Sequence, residues 1–222
     1  MIIVTSLNPS HICKENQSVA IASWNRLGKC FSLNDSSEIK DLDYKGIRII
    51  RSHRTISRII GKPLITINAI IDFAIDKKQD LFIVNSDIII SGLPELRQDG
   101  VTLFSRYDYT DEMNDGIKFE AGFDGFYIPY KFLGLFSPSV FSLGAAWHDY
   151  WTPFVCIHYN IPLYQAANKH LFHKKHATQY NHDEWLRLGE YFRWEFEIDK
   201  FLTVPQVATK ALNLIKSKIN VY

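Results

Sequence analysis

The sequence predicts an α/β fold, a mostly parallel central sheet with helices on both faces, in a single domain. Three observations predict it. Short apolar runs end abruptly in polar residues: residues 1–4 lead into Thr5-Ser6, residues 30–33 into Asn34-Asp35, and residues 81–84 into Asn85-Ser86-Asp87. These runs are dense in Ile, Val, Leu and Phe with little polar alternation, the pattern of strands buried on both faces. Between them lie segments whose apolar residues recur at helical spacing. Strand and helix in alternation build a parallel sheet with right-handed crossovers.

Taken in order, residues 1–6 read as a buried first strand opening into a loop at Asn8-Pro9. Residues 17–27 place Val19, Ala20, Trp24 and Leu27 at helical spacing, with Gly28 where a C-terminal cap belongs. Residues 30–35 are a second strand, and residues 47–50 a third that ends in Arg51. Pro63 opens a helical segment carrying Leu64, Ile67, Ile70, Ile71, Ala74 and Ile75, and the strand 81–84 follows. In the second half, residues 101–106 predict a strand, and 107–118, polar and acidic, a loop. Residues 123–129 form a strand with Asp124 inside it, 147–159 a helix, and 160–164 a short strand. Residues 170–185 are rich in histidine, at a spacing that puts His170, His173 and His176 on one helical face. A last amphipathic helix spans 205–219, with Val207, Ala208, Ala211, Leu212 and Ile215 on one side. A basic amphipathic helix can rest weakly on a membrane surface; a helix packed on the domain with a solvated rim is the competing reading.

Composition narrows the function classes. The chain has 222 residues, 46% apolar and 22% charged, which suits one ordered domain. A net charge of +1 gives no footprint for nucleic acid. Cys13, Cys30 and Cys156 are widely spaced, which argues for free thiols and against a zinc ribbon. The first apolar run is too short for a signal peptide, and no stretch nears the ~20 apolar residues of a membrane span, so a cytoplasmic protein is expected. Neither G-x-G-x-x-G nor G-x-x-x-x-G-K-[ST] occurs, nor a G-x-S-x-G elbow.

What remains is a set of acids and histidines. Asp87 stands where an open α/β sheet binds its ligands, at a strand's carboxyl end. An ionised carboxylate there must be paired or hold a metal; a polar strand terminus is the alternative. A hard divalent cation, Mn²⁺ or Mg²⁺, takes carboxylate oxygen, sometimes an imidazole, and phosphate oxygens from its substrate. Asp87 with one distant histidine fits that need, and zinc fits less well because a structural zinc site closes four ligands. Asp149 lies between Trp147 and Trp151. It reads either as a general base beside a sugar-stacking wall or as a first-turn helix carboxylate. Asp124 is a second candidate acid, or a turn residue before Gly125.

Val84-Asn85-Ser86-Asp87-Ile88 resembles the strand-end D-x-D element of GT-A nucleotide-sugar glycosyltransferases, with Asn85 in place of its first acid. Downstream, residues 123–129, then Ala146-Trp147-His148-Asp149-Tyr150-Trp151, then His173-Lys174-Lys175-His176 with Tyr180-Asn181, are similar to a bacterial glycosyltransferase-like group. In that group a W-D-x-W-like segment precedes an H-x-x-H-like one. The resemblance implies a GT-A-like (nucleotide-diphospho-sugar transferase) domain over residues 1–222. Residues 1–100 would be the nucleotide-binding half, 101–200 the acceptor and metal half, and 201–222 the terminal helix. It implies a UDP- or GDP-sugar donor, a glycan or glycolipid acceptor, and Mn²⁺ or Mg²⁺ held by Asp87 and His173, with His176 as alternate. Asp149 would be the catalytic base, with Asp124 beside it. Thr5, Ser6 and Asp35 would meet the nucleoside. Lys62, Asn68, Ser86 and Arg106 would meet the phosphates or sugar. A nucleotide- or sugar-binding module with a degenerate site, suggested by Asn85, is the alternative from another class. A sugar-nucleotide nucleotidyltransferase is disfavoured by the missing Gly-rich loop after Val4.

Overall fold

The computed structural model describes residues 1–176 and 181–222. In chain order the elements are β1 (Ile2–Thr5), α1 (Lys14–Trp24), β2 (Lys29–Asn34), α2 (Ser36–Ile39), β3 (Arg48–Arg51), α3 (Ser57–Ile60), α4 (Ile67–Lys77), β4 (Leu81–Val84), β5 (Ile88–Ile90), β6 (Val101–Phe104) and β7 (Arg106–Tyr109). A 3-10 turn (Met113–Asp115) leads to β8 (Ile117–Lys118), β9 (Gly125–Ile128), α5 (Tyr130–Leu133), α6 (His148–His158), β10 (Leu163–Gln165), β11 (Leu171–Lys174), α7 (His182–Glu195), α8 (Val204–Lys218) and β12 (Ile219–Val221).

The central sheet has eight strands in the order β12-β10-β6-β9-β4-β1-β2-β3. All neighbours are parallel except β9, which runs against β4 and β6. Side chains alternate across it as the pleat requires. Ile2, Val4, Leu81 and Ile83 enter one apolar cluster with α4, α6, α7 and α8. Ile3, Phe82 and Val84 enter the other with Ala20, Ile21 and Trp24 of α1. The predicted mostly parallel sheet with helices on both faces is therefore present.

A second sheet, β5-β11-β7-β8, stands at one end of the first. Three strands of the central sheet, β4, β6 and β10, are each followed by a strand of the small one, β5, β7 and β11. The links are short: Asn85-Ser86-Asp87 joins β4 to β5, and Ser105 alone joins β6 to β7. Because β9 is antiparallel, its start at Gly125 sits beside Val84 and Phe104, at the edge where β1, β2 and β4 end.

Several elements differ from the sequence reading. Residues 107–118 are not a structureless loop: Arg106–Tyr109 pairs with both β11 and β8. His173 lies on a strand rather than a helix face, because β11 is captured between β5 and β7. Asp124 precedes its strand instead of lying inside it. Trp147 and Trp151 are 1% and 0% exposed, so neither can offer a wall to a sugar. Their indole N–H groups donate to Trp185 O at 2.9 Å and Glu195 Oε1 at 2.6 Å, which ties α6 to α7. The terminal helix buries Val204, Val207, Ala211 and Ile215 in the core and then continues into the edge strand β12. Among the described residues no helix is long and apolar enough to cross a membrane.

Candidate metal centre

Asp87 is placed by the passage of the chain from one sheet to the other. The Ile88 N–H donates to Asn85 O at 3.3 Å, closing a tight turn, and the chain resumes as β5. Strand pairing then brings two distant residues alongside. In the antiparallel β5–β11 pair His173 opposes Ile88, and in the parallel β7–β11 pair it matches Asp108. His173 is thus held between the two acids. Its Nδ1 is 2.9 Å from Asp108 Oδ1, and its Nε2 is 3.4 Å from Asp87 Oδ2. His176, just past β11, brings its Nε2 to 3.0 Å from Asp87 Oδ2 and 3.2 Å from His173 Nε2. His11, from the loop after β1, adds its Nε2 at 3.1 Å from the same oxygen.

Three imidazoles around one mostly buried carboxylate set its charge. Burial works to raise the Asp87 pKa, but hydrogen bonds from His11, His173 and His176 outweigh it and hold the group far below the ordinary carboxylate range. For His173 burial favours the neutral ring; Asp87 and Asp108 outweigh that and raise its pKa.

A second group of charges continues from this one. Arg106, at the start of β7, donates Nε–H to Asp108 Oδ1 at 2.8 Å and Nη1–H to Asp124 Oδ1 at 3.0 Å, over the ring of Phe119. Asn85 Nδ2 donates to the same Asp124 oxygen at 2.8 Å, while Asn85 Oδ1 is buried without a partner among the described residues. Asp149, in the first turn of α6, packs its carboxylate against Gly122 so tightly that a Cβ there would collide with Oδ2. Burial pushes its pKa up to about 6; His148 opposes that rise and Asp124 adds to it. Trp147 caps this helix at φ 72°, a left-handed value unusual for a bulky residue. Asp87 and Asp124 therefore belong to one connected network at the sheet edge, and Asp149 meets the segment that leads into Asp124 at Gly122.

The other predicted contacts divide. Thr5 ends β1 at this edge, fully buried with its Oγ1 unpartnered among the described residues, and Ser6 follows it half-buried. Ser86 Oγ lies 2.8 Å from the buried carboxamide of Gln17, which also reaches Tyr44 Oη at 2.6 Å. Asp35 caps α2, and the Ser37 backbone and hydroxyl hold its pKa down. Asn68 and Lys62 make their contacts elsewhere. The Asn68 carboxamide bonds Phe136 O, Ser137 O and the Ser139 N–H. Lys62 pairs with Glu184 at 2.8 Å on the surface. Tyr180, part of the sequence resemblance, lies outside the described residues. His170 bonds Gly92 O instead of joining the cluster.

Sequence reasoning missed His11 and Asp108. The alternation Arg106-Tyr107-Asp108-Tyr109 is a strand signal, but it does not say which strand Asp108 faces. Nothing local marked His11, which meets Asp87 across 76 positions.

The donor set suits a cation. Oxygen and nitrogen atoms bound to one ion at about 2.0–2.2 Å lie about 2.8–3.6 Å from each other, shorter at octahedral and longer at tetrahedral angles. The separations among Asp87 Oδ2, His173 Nε2 and His176 Nε2 are 3.0, 3.2 and 3.4 Å. His11, Asp87 and His176 also form a mutually close set, with donor atoms within 4.8 Å. Neither models of known protein families nor the curated proteins give a match to this chain.

Proposed function

We propose that this chain is a metal-assisted glycosyltransferase that moves a sugar from a nucleotide-diphosphate donor to a hydroxyl acceptor. The observation that carries the reading is Asp87 at the carboxyl end of β4, grouped with His173 and His176 and linked through Asp108 and Arg106 to Asp124. An α/β sheet binds its ligands along that edge, and a diphosphate needs charge neutralisation there. A divalent cation held by Asp87, His173 and His176 would stabilise the charge that develops on the departing diphosphate.

The chain's own groups divide the remaining work. Asp149 takes the proton from the acceptor hydroxyl as that oxygen attacks the sugar carbon. A base poised at about 6 is ionised at neutral pH yet retains enough basicity for proton transfer. Arg106 and Asn85 hold Asp124 in place, so that its negative charge keeps Asp149 basic. The half-buried Ser6 and the Asp35 cap at the ends of β1 and β2 are the candidate nucleoside contacts.

Calorimetric titration with UDP and with GDP, each with and without Mn²⁺, tests the reading. Metal-dependent binding of one nucleotide, lost in Asp87→Ala, is the expected result. Absence of binding to either nucleotide under both conditions would overturn it. Binding with no transfer to any hydroxyl acceptor would favour the non-catalytic module suggested by Asn85.

A further inference from the structure

We infer that Asp87, His173 and His176 form a two-histidine, one-carboxylate site that binds a transition ion of the zinc class from the protein alone, before any nucleotide arrives. The inference concerns the site already described, but it does not depend on the transferase reading. A hard cation such as Mg²⁺ prefers six oxygens and gives up its waters reluctantly. Two imidazoles to one carboxylate is a donor set for zinc, iron, cobalt or nickel. Manganese lies low in the affinity order for such donors, and magnesium favours oxygen.

The ligands are also oriented in advance. Asp108 Oδ1 accepts the His173 Nδ1–H at 2.9 Å, which on the neutral ring leaves the Nε2 lone pair on the side of His176 and Asp87. A carboxylate behind a ligating histidine fixes the tautomer and increases the ring's basicity. Strand register holds this pair, since His173 matches Asp108 across β7–β11. Two imidazole Nε2 atoms 3.2 Å apart repel through their lone pairs unless a proton or a cation lies between them.

His11 has a different part. Its Nδ1 accepts the Cys13 N–H at 3.0 Å, so the neutral ring carries its proton on Nε2, aimed at Asp87 Oδ2. In that state His11 is a hydrogen-bond donor that orients the carboxylate, not a ligand. Three protein ligands leave coordination positions open, as catalytic sites do and closed structural sites do not. An incoming diphosphate oxygen or a water would take one.

The test uses the full chain, stripped with a chelator and titrated with Zn²⁺ in the absence of nucleotide, with Co²⁺ as the spectroscopic probe of coordination. One Zn²⁺ per chain is expected, with Mn²⁺ weaker and a large excess of Mg²⁺ unable to displace it. Asp87→Ala and His173→Ala should lose the site, while His11→Ala and Asp108→Asn should weaken it by about 10–100-fold. His176→Ala, beyond the end of β11, removes a ligand without touching strand pairing; circular dichroism checks that the fold is kept. The inference is overturned by absence of saturable Zn²⁺ binding, by Mg²⁺ binding as tightly as Zn²⁺, or by unchanged affinity in Asp87→Ala and His176→Ala. Loss in His11→Ala as complete as in His173→Ala overturns the role given to His11. Zinc binding without any nucleotide binding would remove the transferase reading and leave this one standing.

Discussion

A single carboxylate shows how position decides chemistry. Asp149 lies in the first turn of α6, where the helix dipole favours a charged acid. Burial and the nearby Asp124 outweigh that help and move its pKa from 3.8 up to about 6. Between about pH 4 and 6 the folded chain therefore holds more protons at this site than the unfolded chain, so this group's contribution to stability falls as pH rises through that window. Asp149→Asn removes the ionisation, and the variant should melt higher than the parent above pH 6 while losing the pH dependence below it. Thermal melts of both proteins across that range check this without any assay of activity. Under the proposed reaction the parent's transfer rate rises as pH passes about 6, and Asp149→Asn loses about 10²–10⁴-fold in kcat at neutral pH with donor affinity kept. A pH–rate profile without a rise near 6, or a variant with unchanged turnover, would remove Asp149 as the base.

At the scale of elements, the legible pieces are those whose residues declare their surroundings alone. β4 is four apolar residues buried on both faces, and α4 repeats its apolar residues at helical spacing behind a Thr66 cap. β11 was not legible, and β7 showed only as a four-residue alternation, because Arg, Asp, His and Lys in such short strands are stabilised by neighbours the local sequence does not contain. Two glycines test how elements meet. At Gly189 of α7 an added Cβ would collide with Val204 of α8 and with the Trp147 ring of the α6 cap, all buried. Gly189→Ala should therefore cost about 1–3 kcal/mol, read as a drop of about 2–4 °C in Tm per kcal/mol. At Gly122 the clash is with the end of one side chain, the Asp149 carboxylate, which can rotate away. Gly122→Ala should keep its melting temperature and, under the proposed reaction, lose transfer, because the acid is displaced. Equal destabilisation in both variants would show that the 119–124 segment supports the fold as much as it supports Asp149.

Across the whole molecule, the site exists because two sheets share a boundary. The strand end carrying Asp87 was readable as the carboxyl edge of a buried strand, since apolar residues stop there and polar ones begin. The imidazoles were readable only in part. His173 and His176 were visible as a spaced pair, but their meeting with Asp87 depends on β11 lying between β5 and β7, which is long-range pairing that no local pattern encodes. The same boundary makes a prediction for global stability. Asp87 lies on the β4–β5 link, His173 and His176 on and after β11, and His11 on the loop after β1, so an ion bound there joins segments from both sheets that must separate on unfolding. A ligand that binds only the folded state stabilises by about 2.7 kcal/mol when free at 100 times its Kd. For a chain of this length that amounts to a rise of about 5–10 °C in Tm. Zinc should therefore raise the melting temperature of the chelator-stripped protein by that amount, Mg²⁺ should not, and Asp87→Ala should abolish the rise. A melt unmoved by Zn²⁺ at concentrations that saturate calorimetric binding would show that the unfolded chain binds the ion as well as the folded one does, and so that the boundary between the sheets does not build the site.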